Sequence, residues 1–426
     1  MSTLSDDFVP FAFPFIGIEE ETAALRVLRS GWLTTGKEAL AFEAEFASFL
    51  DQDGKKGLQA FAVNSATSGL HLALEACGVG PGDVVLTSPY TFTSTAEVAR
   101  YLGADIAFSD TAEGSFNIDP IALERTLERL SKGLRAYPTR APAPSAACRP
   151  ASENDEGYGP KGKPSVVMPV HFAGLPCDMG AILTIARKYG VRVVEDSAHA
   201  FPSAIADGKW AGTLGDVGVF SFYATKTITT GEGGMVVSSD PEIASRVSVM
   251  RSHGIDRSVW NRYTDRKASW RYAVVEAGFK YNMPDILAAI GREQLKRASR
   301  LLEIRLGLAQ RYDQAFGGDA RFILPPTGPG DARHLYPIRL SASATVSRDS
   351  VIEALQNANI GVSVHFIPLH TMPYYETRYD LTPEDFPNAW KNFNVEISLP
   401  LWPGLSDAQQ SRVIDALRSA VPERAT

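Results

Sequence analysis

Three short stretches hold the residues best suited to chemistry. In VVEDSAHA (193–200) a run of apolar residues ends in a carboxylate, Asp196. Ligands of open α/β sheets bind beyond the carboxyl ends of the strands, and an ionised Asp there can pair with a positive ring nitrogen. On local grounds alone Asp196 reads equally well as a helix cap or a turn residue. Thirty positions later, SFYATKTITTGEGG (221–234) places Lys226 in a polar turn of small residues just past VGVFSF. An amine at such a place can condense with an aldehyde and, once released, act as acid and base. Taken alone, a loop lysine is ordinarily a solvated charge. The hydroxyls of Ser221, Thr227, Thr229 and Thr230 are candidates for binding phosphate and equally ordinary turn residues. The third stretch, NSATSG (64–69), joins a predicted strand to a predicted helix. Free N–H groups at Ala66, Thr67 and Ser68 would make an anion site aided by the helix dipole, with the Thr67 and Ser68 hydroxyls as further donors.

Other candidates are weaker. GVGPGD (78–83) follows a helix and precedes a strand, the wrong order for a dinucleotide fingerprint, and no GxxxxGK[ST] loop exists. The seven histidines show no metal spacing. His365 and His370, five apart in VHFIPLH, make a poor zinc pair without a third ligand; sugar or phosphate contact and plain packing are equally open to them. His71 reads as a packing histidine, and Trp32 as a buried ring that a pocket wall could use.

These groups need a scaffold, and the sequence describes one. LQAFAV (58–63), VVLT (84–87), IAFSD (106–110), VVMPV (166–170), VRVVED (191–196), VGVFSF and GGMVVSS read as buried strands. Helix-length amphipathic runs separate them, among them DMGAILTIARKYG, closed by Gly190 as a C-cap. The alternation predicts an α/β fold with a mainly parallel central sheet sandwiched by helices. After about residue 290 a long charged helix (292–316) leads into strand HLYPIRL, helix SRDSVIEALQNA, strand GVSVHF and a last amphipathic helix. The expected organisation is therefore an N-terminal segment over 1–40 packing on the small domain, a large domain over 41–290, and a smaller α/β domain over 291–426. Residues 135–164, rich in Pro, Ala and Gly without periodicity, read as a flexible surface insertion.

Composition narrows the function. The 426 residues are 44% apolar and 21% charged, with a net charge of -7, and the isoelectric point lies near 5.6. That balance argues against nucleic acid or an anionic membrane as a partner. Three cysteines without a CxxC pair give no disulfide or zinc framework. No run reaches the ~20 apolar residues of a membrane span, and the start lacks a basic segment followed by an apolar one. The expected location is the cytoplasm.

The ordered set NSATSG, SPYTF, VEDSAHA, SFYATK and FKYNMPD resembles the DegT/DnrJ/EryC1/StrS family of sugar aminotransferases, pyridoxal-phosphate enzymes of fold type I. SGWLTTG, MRSHGI (250–255), VHFIPLH and SLPLWPGL (398–405) fit the same pattern, so the likeness covers nearly the whole chain outside 135–164. The resemblance implies that Lys226 carries the cofactor, that Asp196 pairs with its pyridine nitrogen and that His199 contacts its ring hydroxyl. It also implies that Phe92 stacks on the ring and that Thr67 and Ser68, with Ser221, form the phosphate cup, beside the Ala66 N–H of the anion site. Asn282 would reach the phosphate of a neighbouring subunit, which implies a homodimer with shared active sites. Thr35, His365 and His370 lie in segments that resemble substrate-contacting loops. The implied reaction moves an amino group from an amino acid, L-glutamate, to a nucleotide-linked keto-sugar, with FKYNMPD leaning to a UDP-4-keto sugar. In dehydratase relatives histidine replaces the lysine, so Lys226 favours transamination. Desulfuration would lean on Cys148 in the insertion, and a regulatory protein would need a DNA-binding module that the chain lacks.

Overall fold

The computed structural model describes residues 7–140, 156–205, 208–256 and 272–423. Residues 141–155, with Cys148 and much of the expected insertion, lie outside the described residues. Seven strands build the central sheet: β1 (Gln59–Val63), β2 (Asp83–Thr87), β3 (Asp105–Phe108), β4 (Lys163–Met168), β5 (Arg192–Asp196), β8 (Val217–Ser221) and β9 (Gly234–Ser238). A two-stranded ribbon, β6 (Ala204–Ile205) with β7 (Lys209–Trp210), interrupts the series. The order across the sheet is β1-β9-β8-β5-β4-β2-β3. Only β9 is reversed: it pairs antiparallel with β1 and β8, and every other pair is parallel.

Period-two patterning explains why both faces of this sheet are covered. Phe61 and Val63 of β1 join one apolar cluster while Ala60 and Ala62 join another. Val217 and Val219 of β8 face the first cluster and Phe220 the second; β9 divides the same way, Val236 against Met235 and Val237. Full burial of each such aliphatic or aromatic side chain contributes about 1.5–3 kcal/mol. The helices are α1 (Ile18–Ser30), α2 (Lys37–Leu50), α3 (Ala66–Ala76), α4 (Ser94–Tyr101), α5 (Pro120–Ser131), α6 (Met179–Tyr189) and α7 (Pro241–Met250), followed by others named below by residue. Local chemistry sets their ends. Asp119, Asp178 and Asp240 cap first-turn N–H groups, and Gly190 closes α6 at φ 64°.

A second, antiparallel sheet of β10 (Phe322–Ile323), β11 (Tyr336–Leu340) and β12 (Glu396–Leu399) has its own core around Tyr312, Tyr336, Ile338, Val351 and Ile397. Two expectations fail here. The charged run 292–316 is not one helix: helices Asp285–Lys296 and Ala298–Phe316 meet at Arg297, whose φ of -101° and ψ of 0° break the ladder while its guanidinium pairs with Glu20 of α1. GVSVHF is not a strand either. The segment makes an antiparallel bridge from Ser363 to Ser398 on the edge of β12, and the His365 N–H then turns to the Glu396 carboxylate, 3.0 Å away, instead of a ladder partner.

The first forty residues divide their packing. Val9 bonds to Asn359 and Pro10 accepts from Trp402 beside the small sheet, whereas α1 lies through Ala23 and Val27 against Ala289 of helix Asp285–Lys296. Among the described residues no helix is long and apolar enough to cross a membrane.

Candidate active site

A cavity of about 490 Å³ opens where β5 and β8 end and the small sheet leans over them. Asp196, His199, Lys226, Phe92, His334 and His365 are among its lining residues. Asp196, the last residue of β5, is 4% exposed. Its Oδ2 accepts from the Thr95 hydroxyl at 2.8 Å and its Oδ1 from the Ala198 N–H at 3.1 Å. Thr91 and Thr95, one turn apart at the entry to α4, share a further hydrogen bond of 2.7 Å. Burial pushes the Asp196 carboxyl up, while the Thr95 hydroxyl, the Ala198 N–H and the Lys226 charge pull it back. Lys226 follows β8 in a turn that its own N–H closes onto Tyr223. Burial pushes its amine down to about 8, against the pull of Asp196. A lysine so placed has a neutral, nucleophilic fraction near pH 7 that a solvated one lacks.

The phosphate-sized end is built by α3. Ser65 leaves the strand in extended geometry (φ -165°) and caps the helix by accepting from the Ser68 N–H at 3.1 Å. Ser65, Ala66, Thr67 and Ser221 line the cavity. Ser68 does not: its hydroxyl turns inward to Asn64 Oδ1 at 2.6 Å, which withdraws it from the expected cup. The sheet and this helix meet at Gly234, where a Cβ would lie 2.8 Å from the Ala66 nitrogen and 2.8 Å from the Phe220 oxygen. Phe92 stands over the same region with 57% of its surface exposed, a free aromatic face.

Three histidines line the opposite side. His199 Nδ1 accepts from the Ala173 N–H at 3.3 Å, so its proton sits on Nε2. Its ring lies 4.6 Å from that of His334. Burial, with the nearby Lys226 charge, holds both rings well below the usual histidine range, hence neutral. His365 Nδ1 lies 2.9 Å from the Ser398 hydroxyl. Behind them Arg305, 2% exposed, donates to the carbonyls of His334 and Leu401.

Several expected residues stand elsewhere. His370 is fully buried, its ring 4.8 Å from Phe386 and its Nε2 against the Pro383 carbonyl, so packing removes it from the cavity wall. Asn282 and Thr35 bond to each other away from the cavity; Thr35 also donates to the Met283 carbonyl, and Lys280 donates to Asn282. Thr229 and Thr230 spend their hydroxyls on the Phe222 and Glu232 carbonyls within the lysine turn. Trp32 donates to the Thr35 carbonyl instead of lining the pocket. Sequence reasoning missed Thr95 and His334. Thr91 and Thr95 at i and i+4 were the signal for the first, and the place of His334 as the first residue of the predicted strand HLYPIRL was the signal for the second.

The chain matches the model of the DegT/DnrJ/EryC1/StrS aminotransferase family over residues 14–418. It is 41% identical to the spore coat polysaccharide biosynthesis protein SpsC of Bacillus subtilis, over 97% of each chain. Among solved structures, Spr1654 of Streptococcus pneumoniae in its PMP form superposes with a TM-score of 0.82 at 28% identity, covering 97% of this chain and 98% of that one. PseC of Helicobacter pylori, an aminotransferase involved in the biosynthesis of pseudoaminic acid, superposes with a TM-score of 0.80 at 26% identity, covering 97% and 99%.

Proposed function

Because the chain belongs to the DegT/DnrJ/EryC1/StrS aminotransferase family and is thus a pyridoxal-phosphate-dependent sugar aminotransferase, we propose that it carries an amino group from L-glutamate to a nucleotide-linked keto-sugar, a UDP-4-keto sugar first among them. The observation that carries this reading is the meeting of Lys226, Asp196 and the first turn of α3 in one buried cavity. The residues fit the cofactor: an amine, a carboxylate, the helix-start residues Ala66 and Thr67 for a phosphate and an open aromatic face lie around one space. When bound, pyridoxal phosphate supplies an aldehyde and a ring that takes up the charge left by a departing α-proton.

The chain supplies the rest. Lys226 would anchor the cofactor covalently and, as a free amine, would move the proton, a double role suited to an amine poised near neutrality. Asp196, oriented by Thr95 and the Ala198 N–H, keeps the ring nitrogen protonated. His199 would offer its Nε2–H to the ring hydroxyl, and Phe92 would supply an aromatic face to the ring. Ala66, Thr67 and Ser221 would hold the phosphate through helix amides and a hydroxyl. His365 lies on the substrate side.

We assign Asn282, which stands apart from its own chain's cavity beside Thr35 and Lys280, to the phosphate of a second copy in a homodimer. The exposed Ile18, Leu25, Leu28 and Leu33 offer that copy an apolar surface. The polysaccharide role in the name of SpsC supports a sugar acceptor. The test is the visible absorption of the holoenzyme before and after L-glutamate and then a UDP-4-keto sugar. Glutamate should bleach the cofactor band and the sugar restore it; a band indifferent to glutamate overturns the donor assignment.

A further inference from the structure

We infer that Glu396, Ser398 and His365 form a proton relay opening onto the cavity, which takes the proton an amino donor must lose before its nitrogen can react. Glu396 and Ser398, two residues apart on β12, are both fully buried. The Ser398 hydroxyl donates to Glu396 Oε1, and His365 Nδ1 lies 2.9 Å from the same hydroxyl. The His365 N–H donates to Glu396 Oε2 at 3.0 Å, so the carboxyl holds the histidine by its backbone and, through Ser398, by its ring. Phe11 stacks on the imidazole at 5.3 Å, which limits ring rotation. Nε2 has no protein partner among the described residues, and His365 lines the cavity.

A hydroxyl donates one proton and accepts another, so the relay has two settings. With Glu396 ionised, Ser398 donates to it and accepts from Nδ1–H, leaving an Nε2 lone pair on the cavity. With Glu396 protonated the bonds reverse and Nε2 carries the hydrogen. An amino acid arrives as an ammonium ion. One N–H bond of that ammonium breaks as Nε2–H forms, Nδ1–H breaks as a new Ser398 O–H forms, and the old Ser398 O–H breaks as Glu396 O–H forms. The donor ends as a neutral amine, the carboxylate as a carboxylic acid, and the imidazole stays uncharged.

The surroundings favour this end point. His365 faces Lys226, His199 and His334 across the cavity, and burial with the Lys226 charge pushes its ring down to about 3. Glu396 faces Arg348 from helix Arg348–Asn357, Arg339 from β11 and the Tyr90 hydroxyl. Burial outweighs both arginines and pushes the carboxyl up to about 8. A proton entering at the ring therefore rests on the carboxyl, and near pH 7 the chains set to take it are the roughly one in ten whose Glu396 is still ionised.

The relay rests on the proposed function only for the source of its proton; the ring tautomer belongs to the chain alone. Nitrogen-15 NMR of the full-length, histidine-labelled chain without cofactor, with His365→Gln to assign the signal, reads that tautomer between pH 6 and 9.5. The expected result is Nε2–H at low pH giving way to Nδ1–H near pH 8, with Glu396→Gln fixed as Nε2–H throughout. A tautomer that ignores pH, or that moves equally in Glu396→Gln, overturns the relay. In the holoenzyme, Glu396→Gln should slow the glutamate-driven absorbance change about a hundredfold at pH 7, and the loss should shrink as pH rises and the donor arrives neutral. An equal loss at every pH would reduce Glu396 to a structural support and overturn the relay too. A tautomer switch in a wild-type chain whose holoenzyme ignores glutamate would count against the donor assignment instead.

Discussion

Two walls face each other across the cavity, and they treat their polar groups differently. On the large-sheet wall, Asp196 is bonded to Thr95 and Ala198, and among the described residues Lys226 is tied down only through its backbone. The reactive atoms there are left for a ligand. On the small-sheet wall His365 is held at Nδ1 by Ser398 and at its N–H by Glu396, so that Nε2 faces the cavity, and His334 is held through its carbonyl by Arg305. The first wall leaves its reactive atoms to a ligand, whereas the second backs the His365 ring with internal partners that set where its proton rests.

Substitutions on the first wall test that division most strongly. Lys226→Ala removes anchor and base together, so turnover should vanish while circular dichroism and the thermal midpoint stay near wild type; measurable single-turnover transamination would break the comparison. Asp196→Ala should cost about a thousandfold in kcat/KM, about 4 kcal/mol of barrier, because a neutral ring is a poor electron sink. Near-normal kinetics would refute the role. Thr95→Val keeps the shape and removes one donor to Asp196, worth about 1–1.5 kcal/mol. A fall of about tenfold, with Thr95→Ser restoring it, would show that the hydroxyl and not the packing matters.

The smallest effect is one of pH. Capture of the cofactor by the free chain needs neutral Lys226, and burial lowers that amine to about 8. The capture rate should rise about tenfold between pH 6 and 7 but less than about twofold between pH 8 and 9. A rise continuing steeply to pH 10 would mean an ordinary, solvated lysine.

The first wall was legible in the sequence because each of its groups sits at a strand end or a helix start, where local pattern and position in an α/β sheet coincide. Asp196, Lys226 and Thr67 needed no tertiary knowledge beyond the order of the strands. Ser68 was misread because its backbone belongs to the helix start while its side chain folds back to Asn64, a choice of rotamer that spacing does not encode. The second wall was opaque for a different reason. The relay joins residues more than thirty positions apart, and it depends on GVSVHF leaving the edge of β12 after the Ser363 bridge, so that the His365 N–H meets Glu396. The alternating pattern of that segment fits a strand equally well; a buried carboxylate capturing one N–H decided otherwise. His370 shows the converse, a histidine in a promising motif that packing claimed.

At Gly234 the sheet and the first turn of α3 approach until a methyl group would meet the Ala66 nitrogen and the Phe220 oxygen together. That contact has no slack, so the strand acts as a depth stop for the helix that carries the first-turn amides. An added carbon would press on the backbone of the helix start and of the neighbouring strand at once. The damage would therefore fall together on the pairing of β8 with β9 and on the placing of the amides that would face a phosphorylated ligand.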